Sequence, residues 1–323
     1  MSQPSNNPFA FLEDQLVPAT VVPEKGLNRK YLRLQDLRRL QHLLFTSRRA
    51  IEGQYSGRHS TPQRGQSVEF RDYRQYIPGD DLESVDWKVY GRSDKLFVKI
   101  FEHQADMTVN LLVDASASMA YRGLNGKGDI SKFDQACFMA AAIGFLVTKQ
   151  TDRVSFALSR GGLAEAHRPQ SSLLHLSNIL QAMERTQPKG EASLAEAIRD
   201  YVGRSRRRDL LIVFSDLLDE REAVFKSLAR CLHRGGEVIV FHVLHADELK
   251  LPDIDSGMFI DSETGERVRL SLSDIRPDYD ARMRQFLDEW STACKGHGID
   301  YNLVSTADPY HKALERYLYR RAK

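Results

Sequence analysis

The stretch Val109-Asn-Leu-Leu-Val-Asp-Ala-Ser-Ala-Ser-Met119 decides the fold. Its opening VNLLV is an almost wholly apolar run that stops at Asp114, and two serines follow at alternate positions, Ser116 and Ser118. A run without polar alternation belongs to a strand buried on both faces, as the central strands of parallel sheets are. Working outward, the chain alternates strand and helix: a helix near 131–149, the strand RVSFALS, helices near 171–184 and 192–204, then the strand DLLIVF. A helix near 220–233, the strand EVIVFHVL, a long helix near 278–295, the strand IDYNLVS and a closing helix near 309–321 follow. Parallel neighbours need crossovers, and right-handed crossovers cover both faces of the sheet. The pattern predicts an α/β, doubly wound, mainly parallel sheet of Rossmann type over residues 108–323. The segment GMFIDSETGERVRLS interrupts it as a hairpin around Thr264 and Gly265.

Upstream the character changes. Residues 1–26 hold four prolines among Ser, Asn and Gln and read as a flexible tail. Residues 27–65 read as an amphipathic helix and a linker. Leu34, Leu37, Leu40 and Leu44 share a helical period with interleaved arginines up to Ile51, and GQYSGRHSTPQRGQS follows. Packing of those leucines on the body of the protein outweighs a lipid-bound helix. Residues 66–107 read as a small β-rich subdomain, with SVEFRDYRQYI and KLFVKIFEH as strands and Pro78-Gly79 at a turn.

Bulk properties narrow the function classes. The 323 residues carry 46 basic and 44 acidic groups, a net charge of +2 that steers toward neither nucleic acid nor anionic lipid. The basic run Arg204–Arg208 sits at a helix end, where cations complement the dipole, and no aromatic stacking residues accompany it; no nucleic-acid partner is expected. Three widely spaced cysteines, Cys137, Cys231 and Cys294, fit reduced thiols, and the longest apolar stretch, Ala136 to Val147, is too short to span a bilayer. With no signal-like start, a cytoplasmic protein without a transmembrane segment is expected.

Ligands of such sheets bind outside the carboxyl ends of the strands where the strand order reverses. Asp114 and Asp216 each end an apolar run and so converge at that edge. Two carboxylates repel there unless a cation or donors intervene, and the hydroxyls of Ser116 and Ser118 add the oxygens that hard divalent ions prefer. The competing reading of these residues is a capped turn. His242 and His245 form no metal-ligand spacing, and there is no G-x-S-x-G, no Walker loop and no nucleophile with an evident base.

The D-x-S-x-S at Asp114, Ser116 and Ser118 resembles the metal-ion-dependent adhesion site of von Willebrand factor A domains. The resemblance implies that both serines ligate Mg²⁺ directly. Asp114 and Asp216 would act largely through water, and an acidic side chain of a partner protein would take the open position. The family's loop threonine falls on Ala192, with Ser193 beside it. A second resemblance covers the upstream block. Glu69-Phe70, Arg74, Tyr76, Pro78 to Asp81, Asp86-Trp87 and Arg92, followed at once by the D-x-S-x-S strand, resemble domain of unknown function 58, with Glu83 where that family often has Arg. It implies a von Willebrand A-like domain commonly encoded beside MoxR-type AAA+ ATPases. Arg74, Asp80, Asp86 and Arg92 read as a network bracing the subdomain. The expected function is a non-enzymatic interaction module that binds a partner carboxylate through Mg²⁺, as an adaptor for a MoxR-type ATPase. The rivals are a metal-assisted hydrolase and a structural subunit with a metal-free site.

Overall fold

A computed structural model describes residues 27–40, 43–45, 68–76, 85–93, 95–103, 107–124, 130–204, 208–262 and 265–321. In chain order the elements are α1 (Leu34–Leu40), β1 (Val68–Gln75), α2 (Trp87–Ser93), β2 (Phe97–His103), β3 (Thr108–Asp114), α3 (Lys132–Lys149), β4 (Arg153–Ser159) and β5 (Leu163–Gln170). They continue with α4 (Leu173–Arg185), α5 (Leu194–Arg204), β6 (Leu210–Ser215), α6 (Arg221–His233), β7 (Glu237–Leu244) and α7 (Ala246–Leu249). Last come β8 (Ser256–Ile260), β9 (Arg267–Ser271), α8 (Leu272–Gly296), β10 (Asp300–Ser305) and α9 (Tyr310–Arg321).

Six strands form one sheet in the order β10-β7-β6-β3-β4-β5, parallel throughout except for β5. The fold is therefore the doubly wound, mainly parallel α/β sheet of Rossmann type that the alternation implied, and it agrees with the von Willebrand A-like fold that the resemblance implied. From β3 the chain builds outward through β4 and β5, then crosses back to add β6 on the other side of β3. The strand order thus reverses between β3 and β6, and these two strands are the middle of the sheet.

Both faces are covered by helices, which is why β3 and β6 are buried along their whole length. Val109, Leu111 and Val113 of β3 face one way and join α3, α4 and α9 in one apolar layer. Leu112 faces the other way and packs with α5, α6 and Trp290 of α8. α3 is apolar on nearly every side (KFDQACFMAAAIGFLVTK), so the sheet, α4, α9 and the N-terminal segment enclose it. A capping box starts it: Ser131 Oγ accepts from the Asp134 N–H and the Asp134 carboxylate accepts from the Ser131 N–H.

The N-terminal segment packs on this layer through Leu27, Tyr31, Leu32, Leu40 and Phe45. Tyr31 donates its hydroxyl to Asp134 at 2.8 Å, and Lys30 reaches the same carboxylate at 2.7 Å. The described helix here is only α1, and Leu44 is exposed rather than part of an apolar stripe. β1 and β2 pair antiparallel. Residues 1–26, 46–67 and the Pro78–Asp81 turn lie outside the described residues, as does Thr264 of the β8–β9 hairpin.

Besides the shorter N-terminal helix, four elements differ from the sequence reading, one of them α7, a single turn after β7. The sequence pattern places no element between RVSFALS and the helix near 171; the structure has β5 there, an antiparallel edge strand, where Pro169 is tolerated. α2 is a short helix between the two subdomain strands. α8 begins at Leu272 rather than near 278 and runs through Pro277, which removes one backbone donor early in a 25-residue helix.

Candidate functional site

Asp114 and Asp216 do meet at the carboxyl edge. β3 and β6 are neighbours in register, with Val113 opposite Phe214, so Asp114 stands beside Ser215 and Asp216 follows at once. Asp114 Oδ1 accepts from the Ser116 N–H at 2.9 Å and Oδ2 from Ser215 Oγ at 2.7 Å. Ser116 Oγ and Ser118 Oγ lie 3.1 Å apart. All four expected residues are buried. Burial, and then the Asp216 charge, push the Asp114 carboxyl up to about 6.

The sequence reading had no side chain for the cation beside Asp216. The structure supplies Lys132, the first residue of α3, whose side chain is 1% exposed. Its ammonium lies 2.8 Å from Asp216 Oδ2 and 2.5 Å from Glu248 Oε1. Burial alone would lower the lysine's pKa, but the Asp216 and Glu248 charges outweigh it and hold the ammonium above its ordinary value. Glu248 is itself fixed, since its other oxygen accepts the His245 N–H at 2.7 Å to cap α7.

His242 closes the rear of the site. Burial pushes its imidazole down to about 4, so it is neutral near pH 7. Nε2 lies 2.9 Å from the Asp216 carbonyl and therefore carries the proton, which leaves Nδ1 to accept from the Tyr301 hydroxyl at 2.7 Å. His245 stands just beyond β7, not within a strand, and caps α7 by accepting the Asp247 N–H.

The turn after β6 is strained. Leu217 has φ of 55°, a left-handed conformation that costs a leucine roughly 1 kcal/mol. Ser215 Oγ holds it by accepting the Leu217 N–H at 3.0 Å. The turn drives Leu217 into the core and leaves Leu218 57% exposed. On the same edge Tyr121 packs edge-on against His245, Leu124 N–H donates to Asp247 at 3.0 Å, and both residues are exposed. Exposed apolar side chains thus stand on the same edge as the buried charges.

A family model described as "Protein of unknown function DUF58" matches residues 72–287. The chain belongs to the DUF58 family. Uncharacterized proteins of Mycobacterium bovis and Mycobacterium tuberculosis are each 27% identical to it over 245 residues, covering 74% of this chain and 75% of theirs. Among solved structures, BatB from Bacteroides thetaiotaomicron aligns with a TM-score of 0.43 at 16% identity, over 67% of this chain and 98% of that one. An aerotolerance-related membrane protein from Bacteroides fragilis aligns with a TM-score of 0.43 at 15% identity, over 66% and 99%. Among the described residues of this DUF58 chain, no helix is long and apolar enough to cross a membrane.

The residues can be tested against the Mg²⁺ that von Willebrand A resemblance implies. The serine hydroxyls suit an ion, because neighbouring ligands around Mg²⁺ lie about 3 Å apart at a metal–oxygen distance of ~2.1 Å. The rest of the set does not. Both Asp114 oxygens are engaged, and Asp216 Oδ2 holds an ammonium. The loop that would bring the threonine does reach the site, since Ala117 N–H donates to the Gly190 carbonyl at 2.9 Å, yet it presents Ala192. As arranged, this DUF58 site is an ion-paired, hydrogen-bonded cluster and does not fit a resident divalent ion. Its Asp114–Ser116 turn is the capped turn of the competing reading.

Proposed function

We propose that this chain is a non-enzymatic, cytoplasmic protein-interaction module whose docking edge is set by Lys132 in place of a bound metal. The single observation behind this reading is the buried Lys132–Asp216 pair. A fixed ammonium neutralises the strand-end carboxylate without an exchangeable ion, so the partner has no open coordination position to fill. Recognition then falls to the exposed side chains of Tyr121, Leu124 and Leu218, whose backbone is anchored on the cluster beneath. The partner class we favour is the MoxR-type AAA+ ATPase that the family resemblance implies.

The test is binding of a purified MoxR-type ATPase from the same organism, by biolayer interferometry, in Mg²⁺ and in EDTA. Binding that survives EDTA and falls at least about tenfold, ~1.4 kcal/mol, with Leu218→Glu is the expected result. Titration calorimetry with Mg²⁺ or Mn²⁺ alone should give no heat. Binding lost in EDTA and Mg²⁺ heat lost in Ser116→Ala would instead favour ion-mediated capture of a partner carboxylate, the reading to which the serine spacing lends support. Metal-dependent ester or phosphate hydrolysis lost in Asp216→Ala would favour the hydrolase.

A further inference from the structure

The opposite, amino edge of the sheet carries a second site that the docking edge does not use. Alternation puts Thr108 and Asn110 of β3, Arg153 and Ser155 of β4, and Ala166 and Arg168 of β5 on the face covered by α5. Farther along that face the same strands carry Leu112 and Ala157, which pack under α5 in the ordinary way. Near the amino edge the inward positions turn polar and small, and α5 ends at Arg204. What remains is a cavity of about 790 Å³, within the size range of small-molecule sites.

Its floor is a buried chain of hydrogen bonds. Ser155 Oγ donates to Asn110 Oδ1 at 2.7 Å, Asn110 Nδ2 donates to the Leu210 carbonyl at 3.2 Å, and the Tyr201 hydroxyl bonds Ser155 Oγ. Because Ser155 directs its proton to Asn110, Tyr201 is the donor of that bond. The rim is cationic: Arg153, Arg168 and Arg204 come from three different elements, against one lining carboxylate, Asp209. Arg168 and Arg204 are exposed. Guanidinium groups at the rim of a polar cavity match the charge and hydrogen-bonding pattern of phosphoryl oxygens.

We infer that this cavity binds a phosphorylated small molecule of nucleotide size, with Arg168 and Arg204 on its phosphoryl groups and the Tyr201–Ser155–Asn110 floor against its polar body. The site is formed within the sheet and α5, so it stands or falls independently of the docking edge.

The test is titration calorimetry of the full chain with ATP and with inorganic pyrophosphate. The expected result is saturable one-to-one binding of at least one probe. It should weaken about tenfold or more in Arg168→Glu and in Arg204→Glu, and in Ala166→Trp, which fills the cavity and keeps every charge. Arg316→Glu, an exposed arginine on α9, should leave it unchanged. Circular dichroism of each variant checks that it is folded. Absence of heat with both probes would overturn the inference. So would equal weakening by Arg316→Glu, or wild-type binding by Ala166→Trp, since either would mean adsorption to a basic surface.

Discussion

The two edges of this sheet are built from the same strands and differ in how their polar groups are satisfied. At the carboxyl edge Asp114, Asp216, Lys132 and His242 are buried and bonded to one another or to the backbone. At the amino edge the polar side chains of β3 and β4 are bonded along the floor, but Arg168 and Arg204 stand exposed at an open cavity. The comparison teaches that polar residues at strand ends announce a site only if their charges are left for a ligand. The edge with the family motif is closed by its own lysine; the edge without a motif is open.

The largest expected effect comes from breaking the closed edge. Lys132→Met leaves the Asp216 carboxylate, 0% exposed, without its ammonium. Removing one partner of a buried ion pair costs about 3–5 kcal/mol. Urea unfolding should register that loss, and added Mg²⁺ should not restore it. Lys132→Met with Asp216→Asn should recover much of the stability, because the uncompensated charge goes with the second change. Full rescue of the single variant by Mg²⁺ would mean that the site accepts a divalent ion after all.

A smaller effect lies in pH. The Asp114 carboxyl is raised from 3.8 to about 6, so the folded state holds its proton more tightly than the unfolded chain does. Its contribution to stability is full below 3.8 and is lost as pH rises through about 6. Wild type should therefore lose stability relative to Asp114→Asn as pH rises from about 4 to about 7, measured by urea unfolding across that range. A flat difference would mean that burial and the Asp216 charge do not raise the Asp114 carboxyl on folding. Smaller again is Ser131→Ala, which removes the cap that sets Lys132 in the first turn of α3. About 1 kcal/mol is expected by thermal melting.

How far the sequence carried this comparison depends on the residue. The placing of Asp114 and Asp216 on neighbouring central strands was legible because VNLLV and LLIVF can be buried only in the middle of a covered sheet. Lys132 was missed, although a signal existed. A helix as apolar on all sides as Phe133 to Val147 has no solvent face for its first residue, so a lysine there must find a buried acid. Glu248 was beyond reach, since its approach depends on α7 folding back over the edge, a long-range contact without local pattern. The amino-edge cavity was half visible: Asn110 and Ser155 interrupt apolar strands at matching positions. β5, which supplies Arg168, was not recognised as a strand.

The smallest expected effect on stability is also the sharpest contrast with Lys132. Arg168 is exposed at the mouth of the cavity, so Arg168→Glu removes no buried partner and should change unfolding free energy by no more than about 0.5 kcal/mol. If the amino edge is open, the same change should still remove binding of a phosphorylated probe. A charge at the closed edge acts on stability; a charge at the open edge acts on a ligand. Should Arg168→Glu destabilise the fold by several kcal/mol in urea, the arginine would be holding the sheet together and the two edges would be alike.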